Sequence, residues 1–191
     1  MSKFRLAVFV SGRGSNLRAI VESGKLTDLA ETVYVVSDKP DCMAFEFARS
    51  EGIQTVVVGK HGLSFDEAAA LLEGAGVQLI VLAGFLQLVP KTFVERFEGK
   101  MINIHPALLP KYGGKGMYGH FVHEAVFAAG DKVSGPTVHY VNSEYDKGEI
   151  IAQSPVDISA ATSPDEIAAI VLREEHGLLP EVIAKIAKCE M

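Results

Sequence analysis

The chain has 191 residues, 48% hydrophobic, 22% charged and 8% aromatic, which suits one soluble globular domain with room for a sizeable core. Its 24 acidic against 18 basic residues give a formal net charge of −6, so it lacks the basic footprint of a nucleic-acid binder and no nucleic-acid partner is expected. The longest apolar stretch, Leu79–Leu86, falls far short of the ~20 residues of a spanning helix, and Leu6–Val10 is too short for a signal segment. A cytoplasmic protein with no membrane partner is the expectation.

Leu6–Val10 reads as a short buried strand stopped by Ser11-Gly12-Arg13-Gly14-Ser15. From Asn16, the apolar residues Leu17, Ile20 and Val21 follow helical spacing until Gly24. A strand at Thr32–Val36, a helix near Cys42–Ser50, a strand at Gln54–Val58, a short helix at Phe65–Glu73 and a strand at Val77–Leu82 continue the alternation. Strands that are apolar throughout suit a parallel sheet covered on both faces. The repeated strand–helix unit therefore predicts a doubly wound α/β sheet whose ligands gather at the strands' carboxyl ends.

After Pro90, a helix carrying Phe93, Val94 and Phe97 leads to a strand at Met101–Ile104. A turn-rich loop at Pro110–Gly119 and a helix at Phe121–Ala129 follow, then strands at Thr137–Val141 and Glu149–Ile158. The last helix has the clearest start: Ser163 as N-cap, Pro164 at the first helical position and Glu166 three residues after the cap. Ile167, Ile170, Val171, Leu178, Val182 and Ile186 form its apolar stripe, and Pro180 is expected to kink it. No repeat or linker divides residues 1–191, so a single domain is expected.

Three motifs carry candidate chemistry. Gly12 and Gly14 give the first loop conformational freedom, and Ser15 and Asn16 are good caps, so free N–H groups at the helix start suit a phosphate. A plain strand–helix connection is the alternative. Leu17 stands where a dinucleotide fingerprint needs its third glycine, which argues against Asp38 as a ribose-binding acid and favours a monophosphate. In Asn103-Ile104-His105-Pro106, alternation puts Asn103 and His105 on one face. They suit an oxyanion donor and a proton carrier, or a turn asparagine beside a core histidine.

The third motif, Asn142-Ser143-Glu144-Tyr145-Asp146-Lys147-Gly148, is a turn. If it folds over His105, the Asp146 carboxylate favours imidazolium and orients the ring. His139 is expected beside His105. His120 and His123 share a helical spacing but lack further ligands, so they read as solvated and no metal is expected. Glu174 and Glu175 are surface residues or ligands for a substrate ammonium or hydroxyl. Cys42 and Cys189 match no zinc or redox spacing. No Gly-x-Ser-x-Gly or His-Glu-x-x-His is present to support a serine hydrolase or zinc protease.

In order and spacing, the Ser11–Asn16 loop, Ala83–Val89, Asn103–Lys111 and the Asp146 loop resemble the folate-dependent phosphoribosylglycinamide formyltransferases of purine synthesis. The likeness runs from the first strand through Glu175. It implies a formyltransferase-like α/β domain: a Rossmann-type N-terminal half, a mostly parallel sheet and an antiparallel C-terminal addition. It also implies that 10-formyltetrahydrofolate donates a formyl group to the amine of glycinamide ribonucleotide, with no metal, by a monomer or weak homodimer.

Carried onto these residues, the resemblance makes Asn103, His105 and Asp146 the catalytic trio, with His105 protonated. Gly14, Ser15, Asn16, Leu17 and Arg18 cradle the acceptor's phosphate, while Leu172, Arg173, Glu174 and Glu175 hold its ribose. Leu86, Gln87, Leu88 and Val89, with Asn103 and Asn142, Ser143, Glu144, Tyr145 and Asp146, line the folate pocket. The chain departs from the family in a short Val58–Val77 segment, where Lys60 is the basic candidate for a folate contact. Gln87 replaces an arginine of some relatives, and Pro136 removes a backbone donor. Hydrolysis of the formyl donor and an inert nucleotide-binding module remain as other readings.

Overall fold

The computed structural model describes residues 2–189. In chain order its elements are β1 (Phe4–Phe9), α1 (Ser15–Val21), β2 (Ala30–Ser37), α2 (Ala44–Ser50), β3 (Gln54–Val57), α3 (Phe65–Gly74), β4 (Leu79–Leu82) and α4 (Lys91–Arg96). There follow β5 (Met101–His105), α5 (His120–Ala128), β6 (Val133–Ser134), β7 (Thr137–Tyr140), β8 (Ile150–Gln153), β9 (Val156–Asp157) and α6 (Pro164–Ala187). The main sheet runs β3-β2-β1-β4-β5-β7-β8. Its first five strands are mutually parallel, and β7 and β8 join antiparallel. This is the doubly wound sheet with an antiparallel addition that the sequence and its resemblance imply.

The apolar strands divide their side chains between two cores. On one face Leu6, Val8 and Val10 of the first strand segment pack with Leu79, Val81, Ile102 and Ile104 beneath α1, α2 and α6. On the other, Ala7, Phe9, Ile80, Leu82 and Met101 pack beneath α3 and α4, where Phe93 is fully buried. A period-two strand with both residue sets apolar must be covered on both sides, and it is. Chain order reverses between β1 and β4, so the loops after these strands open a crevice at their carboxyl ends. The α3 start is fixed by a reciprocal capping box of Ser64 and Glu67, and Ser163 caps α6 by accepting from Glu166 N–H.

One expectation changes. The single strand at Glu149–Ile158 is two, β8 and β9, separated at Ser154-Pro155, and β9 pairs with the two-residue β6. Pro155 lacks the N–H a continuous ladder needs. The α6 helix is continuous through Pro180. Val182 and Ile183 beyond it are buried with Leu179 against the sheet, so tertiary packing holds the turn that the missing N–H weakens. No helix among the described residues is long and apolar enough to cross a membrane.

Candidate active site

Strand pairing assembles the site. Asn103 and His105 lie two apart on β5 and so share a face. Antiparallel β7 places His139 opposite Asn103 and Thr137 opposite His105. Asn103 Nδ2 is 3.1 Å from His139 Nε2, and His139 Nδ1 is 2.8 Å from the Tyr140 carbonyl. A carbonyl only accepts, so His139 Nδ1 donates to it, and Nε2 is the partner of the Asn103 amide. This holds the Asn103 amide and leaves its second N–H for a ligand. Thr137 donates to the Ala107 carbonyl at 2.6 Å and accepts from Leu109 N–H at 3.0 Å, tying the chain after His105 to β7.

His105 Nε2 donates to the Tyr112 carbonyl at 2.8 Å, leaving Nδ1 of the neutral ring 3.6 Å from Asp146 Oδ2. Asp146 Oδ1 is 3.6 Å from His139 Nε2, and Gly114 N–H donates to Asp146 Oδ2 at 2.9 Å. Asp146 takes a left-handed backbone with φ 53°, uncommon for a residue with a β-carbon. Gly113 leaves room beneath it: a Cβ there would stand 2.5 Å from Leu109 Cδ2 and 3.2 Å from Asp146 Cβ. The loop therefore folds over His105, bringing the Asp146 carboxylate to a ring far earlier in the chain.

Burial pushes the His105 pKa down, and attraction to Asp146 and the Tyr112 carbonyl oppose this only in part, with His139 adding to the fall. The shift favours the neutral ring at rest, and the protonated His105 that the resemblance implies is the form the ring takes once it has accepted a proton. For Asp146 burial pushes the carboxyl up, but His139, the Gly114 N–H and the His105 ring together outweigh it, leaving it below the usual range. The pair is an ionised carboxylate facing a neutral ring nitrogen. Such a nitrogen takes up a proton, and the carboxylate stabilises the imidazolium that results.

Asn103, His105 and His139 lie at the base of a cleft of about 270 Å³. Leu86, Gln87, Leu88 and Val89 form one wall and Asn142, Ser143, Glu144, Tyr145 and Asp146 another. Leu86, Leu88 and Tyr145 are each about half exposed, apolar surface suited to a flat ligand. A further wall is Gly116, Met117 and Tyr118, part of the turn-rich loop, where the adjacent Met and Tyr are the signal the sequence offers. The cationic residue lining the cleft is Lys91, whereas Lys60 is exposed outside it. Gln87 packs on Gly59, where a Cβ would meet its Oε1 at 2.9 Å.

The glycine loop adjoins this cleft. Ser11 Oγ accepts from Leu86 N–H at 2.9 Å and donates to Asp38 Oδ1 at 2.6 Å. Gly14, with φ 76°, is the N-cap of α1 and offers no side-chain cap, so neither Ser15 nor Asn16 caps the helix as expected. Asn16 turns inward instead and donates to Glu175 Oε2 at 2.6 Å, while its Oδ1 is buried without a partner. The first intrahelical bond is Arg18 N–H to the Gly14 carbonyl, which leaves the N–H groups of Ser15, Asn16 and Leu17 free of helical partners. The Leu17 side chain is in the core; the Arg18 guanidinium pairs with Glu22 at 2.8 Å and lies 4.1 Å from the Phe47 ring centroid.

Burial pushes the Glu175 carboxyl up to about 7, against the opposing Asn16 bond. Glu174 accepts from Ser154 Oγ at 2.7 Å, Leu172 is half-buried and Arg173 is exposed. The two α5 histidines differ. His120 is exposed beside Glu124 and Asp165, but His123 is buried, with burial first and His120 and His105 next pushing it down to about 4. His123 is therefore not the solvated residue expected. Among the described residues no group of three or more His, Cys, Asp or Glu is placed to hold a metal ion.

The sequence matches the family model described as formyl transferase over residues 4–183. It is 47% identical over 195 residues to a chloroplastic phosphoribosylglycinamide formyltransferase of Arabidopsis thaliana, covering 97% of this chain and 65% of that protein. The phosphoribosylglycinamide formyltransferase of Escherichia coli (strain K12) is 36% identical over 193 residues, covering 95% of this chain and 86% of that protein. A crystal structure of phosphoribosylglycinamide formyltransferase from Anaplasma phagocytophilum superposes with a TM-score of 0.89 at 34% identity, covering 98% of this chain and 88% of that one. The chain spans 65% and 61% of the lengths of two plant relatives. With a family match across nearly its whole length, the chain belongs to the formyl transferase family.

Proposed function

We propose that this chain transfers a formyl group from 10-formyltetrahydrofolate to the amine of N1-(5-phospho-D-ribosyl)glycinamide in purine nucleotide biosynthesis. The observation that carries this reading is an amide, a neutral imidazole and an ionised carboxylate meeting at the base of an apolar-walled cleft. The exposed faces of Leu86, Leu88 and Tyr145 suit the flat ring of the donor, with polar groups of Asn142, Ser143 and Glu144 at the same wall. When bound, the donor supplies the electrophilic formyl carbon.

Asn103 offers an N–H to the oxyanion that develops when the acceptor amine attacks. His105 Nδ1 takes the proton that leaves the amine, Asp146 stabilises the imidazolium, and the proton then passes to the departing donor nitrogen. On the acceptor side, the free N–H groups of Ser15, Asn16 and Leu17, in the stretch Gly14–Arg18, suit the phosphate. Glu175, fixed by Asn16, accepts from ribose hydroxyls, with Leu172, Arg173 and Glu174 beside it on α6. We read the chain as a cytoplasmic monomer or weak homodimer acting on small molecules without metal, nucleic acid or membrane; the net charge of −6 supports the nucleic-acid part.

Purified protein incubated with the formyl donor should release tetrahydrofolate only when the acceptor nucleotide is present. Equal release with and without the nucleotide would make it a hydrolase of the donor. No release in either tube would leave a binding module.

A further inference from the structure

The His105 ring is held from behind by a residue in an unusual conformation. Tyr112 has φ 58°, the left-handed region that residues with a β-carbon avoid, and its carbonyl accepts the His105 Nε2–H at 2.8 Å. Its side chain points to an anchor outside the cleft. The Tyr112 hydroxyl donates to Asp131 Oδ2 at 2.7 Å, and Lys111 Nζ reaches both Asp131 oxygens at 2.9 and 2.6 Å. The same ammonium lies 4.9 Å from the Tyr112 ring centroid. Hydrogen bonds from Lys111 and Tyr112 hold the Asp131 carboxyl below its usual range, so it is an acceptor for both. Two residues further on, Gly114 N–H grips Asp146. The short segment from Tyr112 to Gly114 thus touches both members of the His105–Asp146 pair, and Asp131 ties down its outer end.

We propose that Asp131, through Lys111 and Tyr112, is a positioning residue that keeps the Tyr112 carbonyl on Nε2 of His105 and so leaves Nδ1 as the nitrogen facing Asp146. Its kinetic consequence rests on the formyl-transfer reading; its geometric consequence does not. If the clamp is cut, the strained Tyr112 backbone is free to relax, the carbonyl leaves the ring, and the His105 proton is no longer confined to one nitrogen. A carbonyl that merely filled space behind the ring would not affect where that proton sits.

The test uses purified protein with 15N-labelled histidine, reading the His105 tautomer by long-range proton–nitrogen correlation. The unsubstituted protein is expected to show neutral His105 as the Nε2–H form. Tyr112→Phe, which removes one oxygen, and Asp131→Ala should both give a mixture of tautomers in a folded protein. In turnover assays kcat should fall by about ten- to a hundredfold while KM for both substrates stays the same. Asp131→Asn keeps an acceptor for the Tyr112 hydroxyl and should restore most of the Nε2–H form. An unchanged tautomer in both cut variants, or a loss confined to KM, overturns the clamp. A tautomer shift in a protein whose unsubstituted form transfers no formyl group supports the clamp and removes the reading of function.

Discussion

Replacing Glu175 by Gln removes an ionisable group from the interior while keeping its shape and its ability to accept from Asn16. The carboxyl is 7% exposed, and burial raises its pKa from 4.5 to about 7. The folded protein therefore binds this proton more tightly than the unfolded chain does. Its stabilising contribution is complete below about pH 4.5 and is lost as the pH rises through about 7. Each pH unit of that displacement is worth about 1.4 kcal/mol, so keeping Glu175 ionised costs the fold roughly 3 kcal/mol above pH 8. Glu175→Gln carries no such penalty. Urea unfolding of both proteins at pH 4.5 and pH 8 should show their stabilities converging at the lower pH. At the higher pH the variant should lead by roughly 3 kcal/mol, an advantage of ~2–4 °C in Tm per kcal/mol. A stability difference that is the same at both pH values would refute the buried, proton-holding carboxyl.

Two further expectations concern the site. Asn103→Ala removes the oxyanion donor and should lower kcat by about a hundred- to a thousandfold with little change in acceptor binding by calorimetry; unaltered turnover would take the amide out of the chemistry. Gly14→Ala forces a β-carbon into φ 76° and within 2.6 Å of Ala44 Cβ. The backbone alone costs about 1–2 kcal/mol, so a lowered Tm should accompany weaker nucleotide binding, and an unchanged Tm would show that α1 and α2 part without cost.

How much was legible in the sequence depended on how local each cause is. The buried strands, the Ser163-Pro164 helix start and the shared face of Asn103 and His105 follow from periodicity and capping within a few residues, and the structure has them. The resemblance brought Asp146 to His105, which spacing alone left open. Long-range pairing set what was missed. Asn103 gains His139 because β7 lies antiparallel to β5 in one register, and a sequence does not display its register. Asn16 leaves its capping position because Glu175 meets it from α6, 159 residues away. For His105 the sequence shows the charge partner but not the burial that lowers its pKa. Likewise the helical spacing of His123 suggests solvent where the packing of α5 on α6 buries it, and Asp131 carries no local signal for its hold on Tyr112.

The most direct measurement of the central claim is mass spectrometry of the acceptor nucleotide after incubation with the protein and the formyl donor. The account predicts a product heavier by one carbonyl group, formed by the unsubstituted protein and reduced to background by His105→Ala. An acceptor of unchanged mass with the unsubstituted protein, or full conversion by His105→Ala, would contradict it.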